Sequence, residues 1–254
     1  MTTVADIYSF MCRLAPPETQ RSFDNAGFLV GHSDAAVKTV LLALDITDEV
    51  IDEAYFKGAQ LIISHHPVIF NPARTITDCS RNRKLLTMAE RGMAAICMHT
   101  NLDIAEGGVN DVLIKLLGAE PADVLDEYGC GRVGELSEET SLSHFLLKCK
   151  SQLMAKLIRY YDAGKRVKKI AVMGGSGASE IETAYNKGCD TYVTADIKYH
   201  DFQLAHDLGI NLIDAGHFAT ENPIIPVIAQ KLSAEFPDVC FNVSEIHKDI
   251  SDFV

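Results

Sequence analysis

Short apolar runs alternate with amphipathic stretches of helical spacing along most of the chain, and this rhythm restricts its folds more than any other feature. The run 37–46 (VKTVLLALDI) reads as a buried strand, and 47–59 as a helix with Thr47 or Asp48 at its N-cap. Residues 61–64 and 93–99 form further strands, with helices expected over 81–91 and 107–118. An opening helix closes at Pro16–Pro17, and after Pro121 comes a polar link, ADVLDEYGCG (122–131). Strands are then expected over 168–173, 190–194, 210–214 and 238–243, and helices over 178–188, 198–208 and about 221–235. Strands joined through helices give parallel pairing, so the expected fold is α/β with mainly parallel sheets.

Two interleaved α/β halves, 1–123 and 124–254, are expected to pack as one unit. They echo each other. EAYFKGAQLIISHH (53–66) lies over TAYNKGCDTYVTAD (183–196), and AAICMHTNLD (94–103) more weakly over GINLIDAGHFATE (209–221). The echo reads as a pseudo-twofold duplication of one βαβ unit, which would bring distant strand ends to one cleft. With 254 residues and 47% hydrophobic content the chain can bury a sizeable core. Its formal charge of −12 argues against a general nucleic-acid binder. No apolar run reaches the roughly 20 residues of a membrane span, and no secretory leader pattern opens the chain. Seven cysteines without a Cys-x-x-Cys pair fit reduced thiols and a cytoplasmic setting.

Candidate chemistry gathers at three strand ends, where open parallel sheets bind ligands. SHH places His65 and His66 straight after an apolar run, and Pro67 stops the strand. HTNLD carries His99 and Asp103. DAGHFATE carries Asp214, His217 and Glu221, the last two at i, i+4 spacing. Taken singly, Asp103 also suits a helix cap and Asp214 the satisfaction of backbone amides. Jointly, imidazole and carboxylate donors without cysteine suit divalent Zn, Mn, Fe or Ni. Adjacent His65 and His66 serve two ions more easily than one, which calls for a bridging carboxylate from Glu221 or Asp103. The ligand ledger is then His65, His66, His217, Asp103 and Glu221, with open positions left for water or substrate. MGGSGASE (173–180) lacks a Walker loop or a full G-x-G-x-x-G pattern, and reads as tight-turn glycines ahead of a phosphate cradle. His32, His144, His200, His206 and His247 read as surface or satisfied core residues.

SHHPVIF, HTNLDIAEGGVND, GHFATE and FDNAGFLVG (23–31) together resemble the GTP cyclohydrolase 1 type 2 homologue family, also known as the Ngg-one-interacting-factor-three-like proteins. The resemblance covers nearly the whole chain in its short form, without an extra central domain. It implies a dinuclear metal centre, with His65 and His66 on different ions, Asp103 on one, His217 on the other and Glu221 bridging. His99 matches a family histidine in or beside the site, placed to relay a proton or orient a ligand. The family name implies a metal-dependent hydrolase that opens the guanine imidazole ring of GTP by attack of a metal-activated hydroxide, releasing formate. A phosphoester or another small anionic substrate, or a metal-handling or scaffold role without turnover, stays open. A ring-shaped homohexamer is also implied. Phe23 stands where the family usually has Trp, and Pro223 leaves the start of the last helix either at 222–223 or earlier with a kink.

Overall fold

A computed structural model describes residues 1–79 and 82–252, and the chain in it forms two compact units. The first comprises Met1–Ala105 and Ile224–Lys248, the second Glu106–Pro223 and the segment from Asp249. In chain order the first unit contains α1 (Val4–Leu14), β1 (Gly27–Val30), β2 (Thr39–Ala43), α2 (Asp48–Phe56), β3 (Leu61–Ser64), α3 (Arg83–Glu90), β4 (Ala94–Cys97) and α4 (Thr100–Ile104). The second contains α5 (Val109–Leu116), β5 (Ala119–Val124), β6 (Arg132–Thr140), α6 (Leu142–Gln152), β7 (Arg159–Tyr161), β8 (Val167–Ser176), α7 (Ile181–Asn186), β9 (Thr191–Ala195), α8 (Tyr199–Leu208), β10 (Asn211–Asp214) and α9 (His217–Glu221). The chain then returns to the first unit with α10 (Ile224–Glu235) and β11 (Cys240–Val243). The boundary expected at 123/124 falls at the end of β5, inside the second unit. The start of the helix expected from 81, and residues 253–254 of the second expected half, lie outside the described residues.

The mainly parallel α/β expectation holds. The first sheet runs β1-β4-β3-β2-β11, parallel except where β1 meets β4. The second runs β5-β6-β8-β9-β10-β7, with β8, β9 and β10 parallel and β5, β6 and β7 joined antiparallel. Both faces of its parallel centre are covered. Ile170, Val172, Val193 and Ile213 pack with Leu113 and Phe145 in one cluster, while Ala171, Tyr192 and Leu212 pack with Ile181 and Ala205 in another. The first unit's core gathers Leu41, Ile62 and Ala95 with Ile51 and Met88.

The sequence echo is a shared topology. Strand order β1-β4-β3-β2 in one unit repeats as β7-β10-β9-β8 in the other, each with an antiparallel edge strand. The A-Y-x-K-G motif ends α2 and α7 alike, with Gly58 and Gly188 left-handed at φ +67° and +74°. Two residues on, Gln60 Oε1 accepts the amides of Lys38 and Thr39 at 2.8 and 3.1 Å. Asp190 Oδ2 does the same for Lys168 and Lys169 at 2.9 and 2.7 Å. The last helix is not continuous with its approach: α9 stops at Glu221 and α10 starts at Ile224, separated by Asn222–Pro223. No helix among the described residues is long and apolar enough to cross a membrane.

Candidate metal centre

In the first unit, β3 ends at Ser64, so His65 and His66 escape the alternation of a strand. His65 is buried, its ring 5.1 Å from that of His66 and 5.1 Å from that of His99, centroid to centroid. One ring nitrogen of each of the three lies within 4.8 Å of the others. Asp103, on α4, brings Oδ1 to 3.6 Å from His65 Nε2. That is too long for a hydrogen bond. It is close to the roughly 3.4 Å that separates two donors on a tetrahedral ion with bonds near 2.1 Å.

Each imidazole is aimed through Nδ1. His65 Nδ1 donates to the Met98 carbonyl at 2.8 Å, and His66 Nδ1 to Asp45 Oδ1 at 2.7 Å. His99 Nδ1 donates to Asp24 Oδ1 at 2.8 Å. An acceptor at Nδ1 selects the tautomer whose Nε2 lone pair points the other way, the usual dressing of a ligand histidine. Asp24 also accepts the amide and hydroxyl of Thr100. Burial works against its charge, but these bonds hold the carboxyl well below the usual carboxylate range. Asp45 behaves alike: burial is outweighed by His247 and His66. Asn101, buried in α4, accepts the His99 amide at 3.0 Å and donates to the Ala15 carbonyl at 2.8 Å, fixing the turn that carries His99 and Asp103.

In the second unit α9 holds His217 and Glu221 on one face, Nε2 to Oε2 at 3.1 Å. His217 Nδ1 donates to Asp196 Oδ2 at 2.8 Å. Burial lowers the imidazole pKa, yet Glu221 and then Asp196 raise it to about 9. A metal taking Nε2 therefore displaces a proton. Gly175, at the end of β8, is left-handed at φ +64°, and a Cβ there would stand 2.1 Å from Glu221 Oε1. Gly174 and Gly175 of MGGSGASE, both within β8, thus serve close approach to the Glu221 side chain, and the Gly175 amide donates to Thr220 Oγ1 at 3.0 Å.

The predicted residues are thus found in two groups: His65, His66, His99 and Asp103 in the first unit, His217 and Glu221 in the second. Asp214 faces elsewhere, accepting from Arg159 and from the Gly216 amide. His247, read from sequence as a bystander, meets Asp45 Oδ2 at 3.1 Å and so backs His66. Sequence reasoning missed the orienting carboxylates Asp24, Asp45 and Asp196. The first stands in FDNAGFLVG, the second follows β2, and the third lies over His66 in the internal echo. Phe23 is 61% exposed. Cys97 lies nearby, but burial pushes its thiol up to about 11, leaving it a poor ligand at neutral pH. The donors are imidazole and carboxylate, a set that fits borderline or harder divalent ions.

Mixed α/β sheets whose strand ends carry histidine and carboxylate groups able to hold metal define the class of this protein. Residues 2–250 match the family model described as Duf34/NIF3 (NGG1p interacting factor 3), and the chain belongs to that family. It is 36% identical to the Clostridium perfringens GTP cyclohydrolase 1 type 2 homolog over 98% of both chains. It is 31% identical to the Helicobacter pylori protein named GTP cyclohydrolase 1 type 2, over 91% of this chain and 92% of that one. Among solved structures, a Bacillus cereus protein related to NIF3 superposes with a TM-score of 0.92 at 26% identity, covering 100% of this chain and 99% of that one. Reduced HcgD from Methanocaldococcus jannaschii does so with a TM-score of 0.85 at 30% identity, covering 96% and 98%.

Proposed function

We propose that this chain is a divalent-metal-dependent hydrolase acting on a nucleotide or a related small anionic substrate. His65, His66, Asp103, His217 and Glu221 are the proposed ligand set for two ions, with Glu221 as the bridging carboxylate. The observation that carries this reading is the common dressing of the four imidazoles, each with Nδ1 donating to a fixed acceptor. When bound, such ions polarise a substrate oxygen and lower the pKa of water toward neutrality. His99, oriented by Asp24 beside His65 and His66, is the residue placed to hold or pass a proton. The names of the Clostridium and Helicobacter relatives make GTP the first substrate to try.

The test is incubation of protein reconstituted with Zn, Mn, Fe or Ni, and of its Glu221→Ala variant, with a panel of nucleotides and phosphoesters under mass detection. Consumption of one compound by the wild type alone is expected. Tight metal uptake with no compound consumed would instead make the chain a metal-handling protein. The homohexamer implied by the family resemblance belongs to the same proposal, and light scattering giving a monomer removes it.

A further inference from the structure

The second unit forms a cleft of about 550 Å³, within the range of small-molecule sites, whose wall includes His217 of the proposed ligand set and extends past it to residues that set does not use. Lys156 and Arg159 line it alongside His217. We infer that Lys156, with Arg159 beside it, anchors a phosphate or polyphosphate group of the substrate, and that the chain's own tail occupies this anchor when no ligand is bound.

Position supports this first. The cavity is walled by Asp196 and by Asp214 to Ala219, which follow β9 and β10 at their carboxyl ends, where parallel sheets take ligands. The internal repeat supports it next. Gly27 pairs with Cys97 at the end of β4, and Arg159 pairs with Asp214 at the end of β10. Three residues before Gly27 stands Asp24, which turns its carboxylate to His99; three before Arg159 stands Lys156. The lysine thus occupies the position from which the other unit serves its own strand-end histidine.

Lys156 Nζ donates to the carbonyls of Asp249 at 2.9 Å and Ser251 at 2.7 Å, and meets Asp252 Oδ1 at 3.4 Å. Three oxygens from an exposed tail surround the ammonium as the oxygens of a phosphate would. The acids of the wall are already engaged. Asp196 accepts from His217, Asp214 from Arg159, and the Asp249 carboxylate from Ser251. Arg159 is held by the Ile197 carbonyl at 2.6 Å and lies 5.5 Å over the Phe202 ring, with about half of its side chain open to solvent. A guanidinium and an ammonium lining one cavity suit a multiply charged oxyanion.

The choice of a nucleotide substrate rests on the hydrolase proposal, but the test needs no turnover. Calorimetric titration of the full chain, with GTP, inorganic triphosphate and guanosine at fixed ionic strength, reads the anchor directly. GTP and triphosphate are expected to bind and guanosine to bind far more weakly. Lys156→Ala should weaken both anions about tenfold or more, while Lys156→Arg stays within about threefold. Removing residues after Lys248 should tighten both, because the competing tail is gone. Wild-type affinity in Lys156→Ala, no anion binding to the wild type, or unchanged or weaker binding after truncation each overturns the inference. Metal content measured on the same samples separates the two readings. Two ions without an anion site remove the anchor alone, and an anion site without metal removes the hydrolase alone.

Discussion

A histidine on a short helix or a loop has several ring orientations open to it, and here neighbouring groups make the choice. Asp45 and Asp196 each hold one Nδ1–H, so an asparagine in either place keeps the shape but surrenders the charge-assisted bond and the certainty of tautomer. Asp45→Asn and Asp196→Asn are expected to lower metal affinity about 10- to 100-fold with the fold intact, as read by equilibrium dialysis and circular dichroism. Gly175 tests the wall behind Glu221. Gly175→Ala forces both a left-handed alanine and a collision with the carboxylate, whereas Gly58→Ala meets the same φ penalty with nothing within 4 Å. Gly58→Ala should cost about 1–2 kcal/mol and leave metal uptake unchanged. Gly175→Ala should cost more and also reduce metal content; equal effects of the two on metal would remove the close-approach argument. The imidazoles were legible in the sequence because histidine is scarce and these four follow apolar runs. Their carboxylate partners were not. Asp24 is 75 residues from His99, Asp45 and Asp196 are each 21 from their histidines, and a strand-end acid caps helices as readily as it orients rings.

The parallel strands and their helices were readable because burial on both faces leaves uninterrupted apolar runs, and because A-Y-x-K-G marks a helix end by its need for a left-handed glycine. The antiparallel elements left weaker traces. β5 carries Pro121 and a mostly exposed second half, β6 ends in exposed acids, and β7 is three residues at a sheet edge. Helix α6 had an ordinary signal, Ser141 capping a run with Leu142, Phe145 and Cys149 buried, that the strand-led reading passed over. The return of the chain to its first unit, where β11 pairs with β2, is also fastened by side-chain bonds that no periodicity reveals. Glu53 of α2 accepts the Glu245 amide at 3.0 Å and the Ser244 hydroxyl, and pairs with Lys57 at 3.0 Å. Burial opposes the charge of Glu53, but these partners lower its pKa below the ordinary glutamate value. A carboxyl with a depressed folded pKa adds stability above its unfolded pKa and loses it as pH falls through the folded one. Glu53→Gln should therefore cost about 1–3 kcal/mol at pH 7, with the gap to wild type closing as pH drops below about 4.5, by urea melts across that range. A gap that does not shrink at all between pH 5 and the acid end of the melts would mean the side chain acts through packing alone.

For the whole molecule, the consequence of the proposed ligand set is thermodynamic linkage between metal binding and folding. His65, His66 and Asp103 belong to the first unit, His217 and Glu221 to the second. Each ion that binds only the folded chain stabilises it by about 2.7 kcal/mol at a hundredfold excess over Kd, so two contribute about 5.4 kcal/mol. At roughly 2–4 °C per kcal/mol for a chain of this size, chelation should lower Tm by about 11–22 °C. The chain carries a formal charge of −12, so adding divalent cations among carboxylates also relieves repulsion that the metal-free protein must bear. Glu221→Ala removes the one carboxylate proposed to serve both ions, and with metal present it should melt as the chelated wild type does. A variant that keeps the full metal-dependent rise in Tm would show that Glu221 holds neither ion, and the proposed ligand set would fall with it.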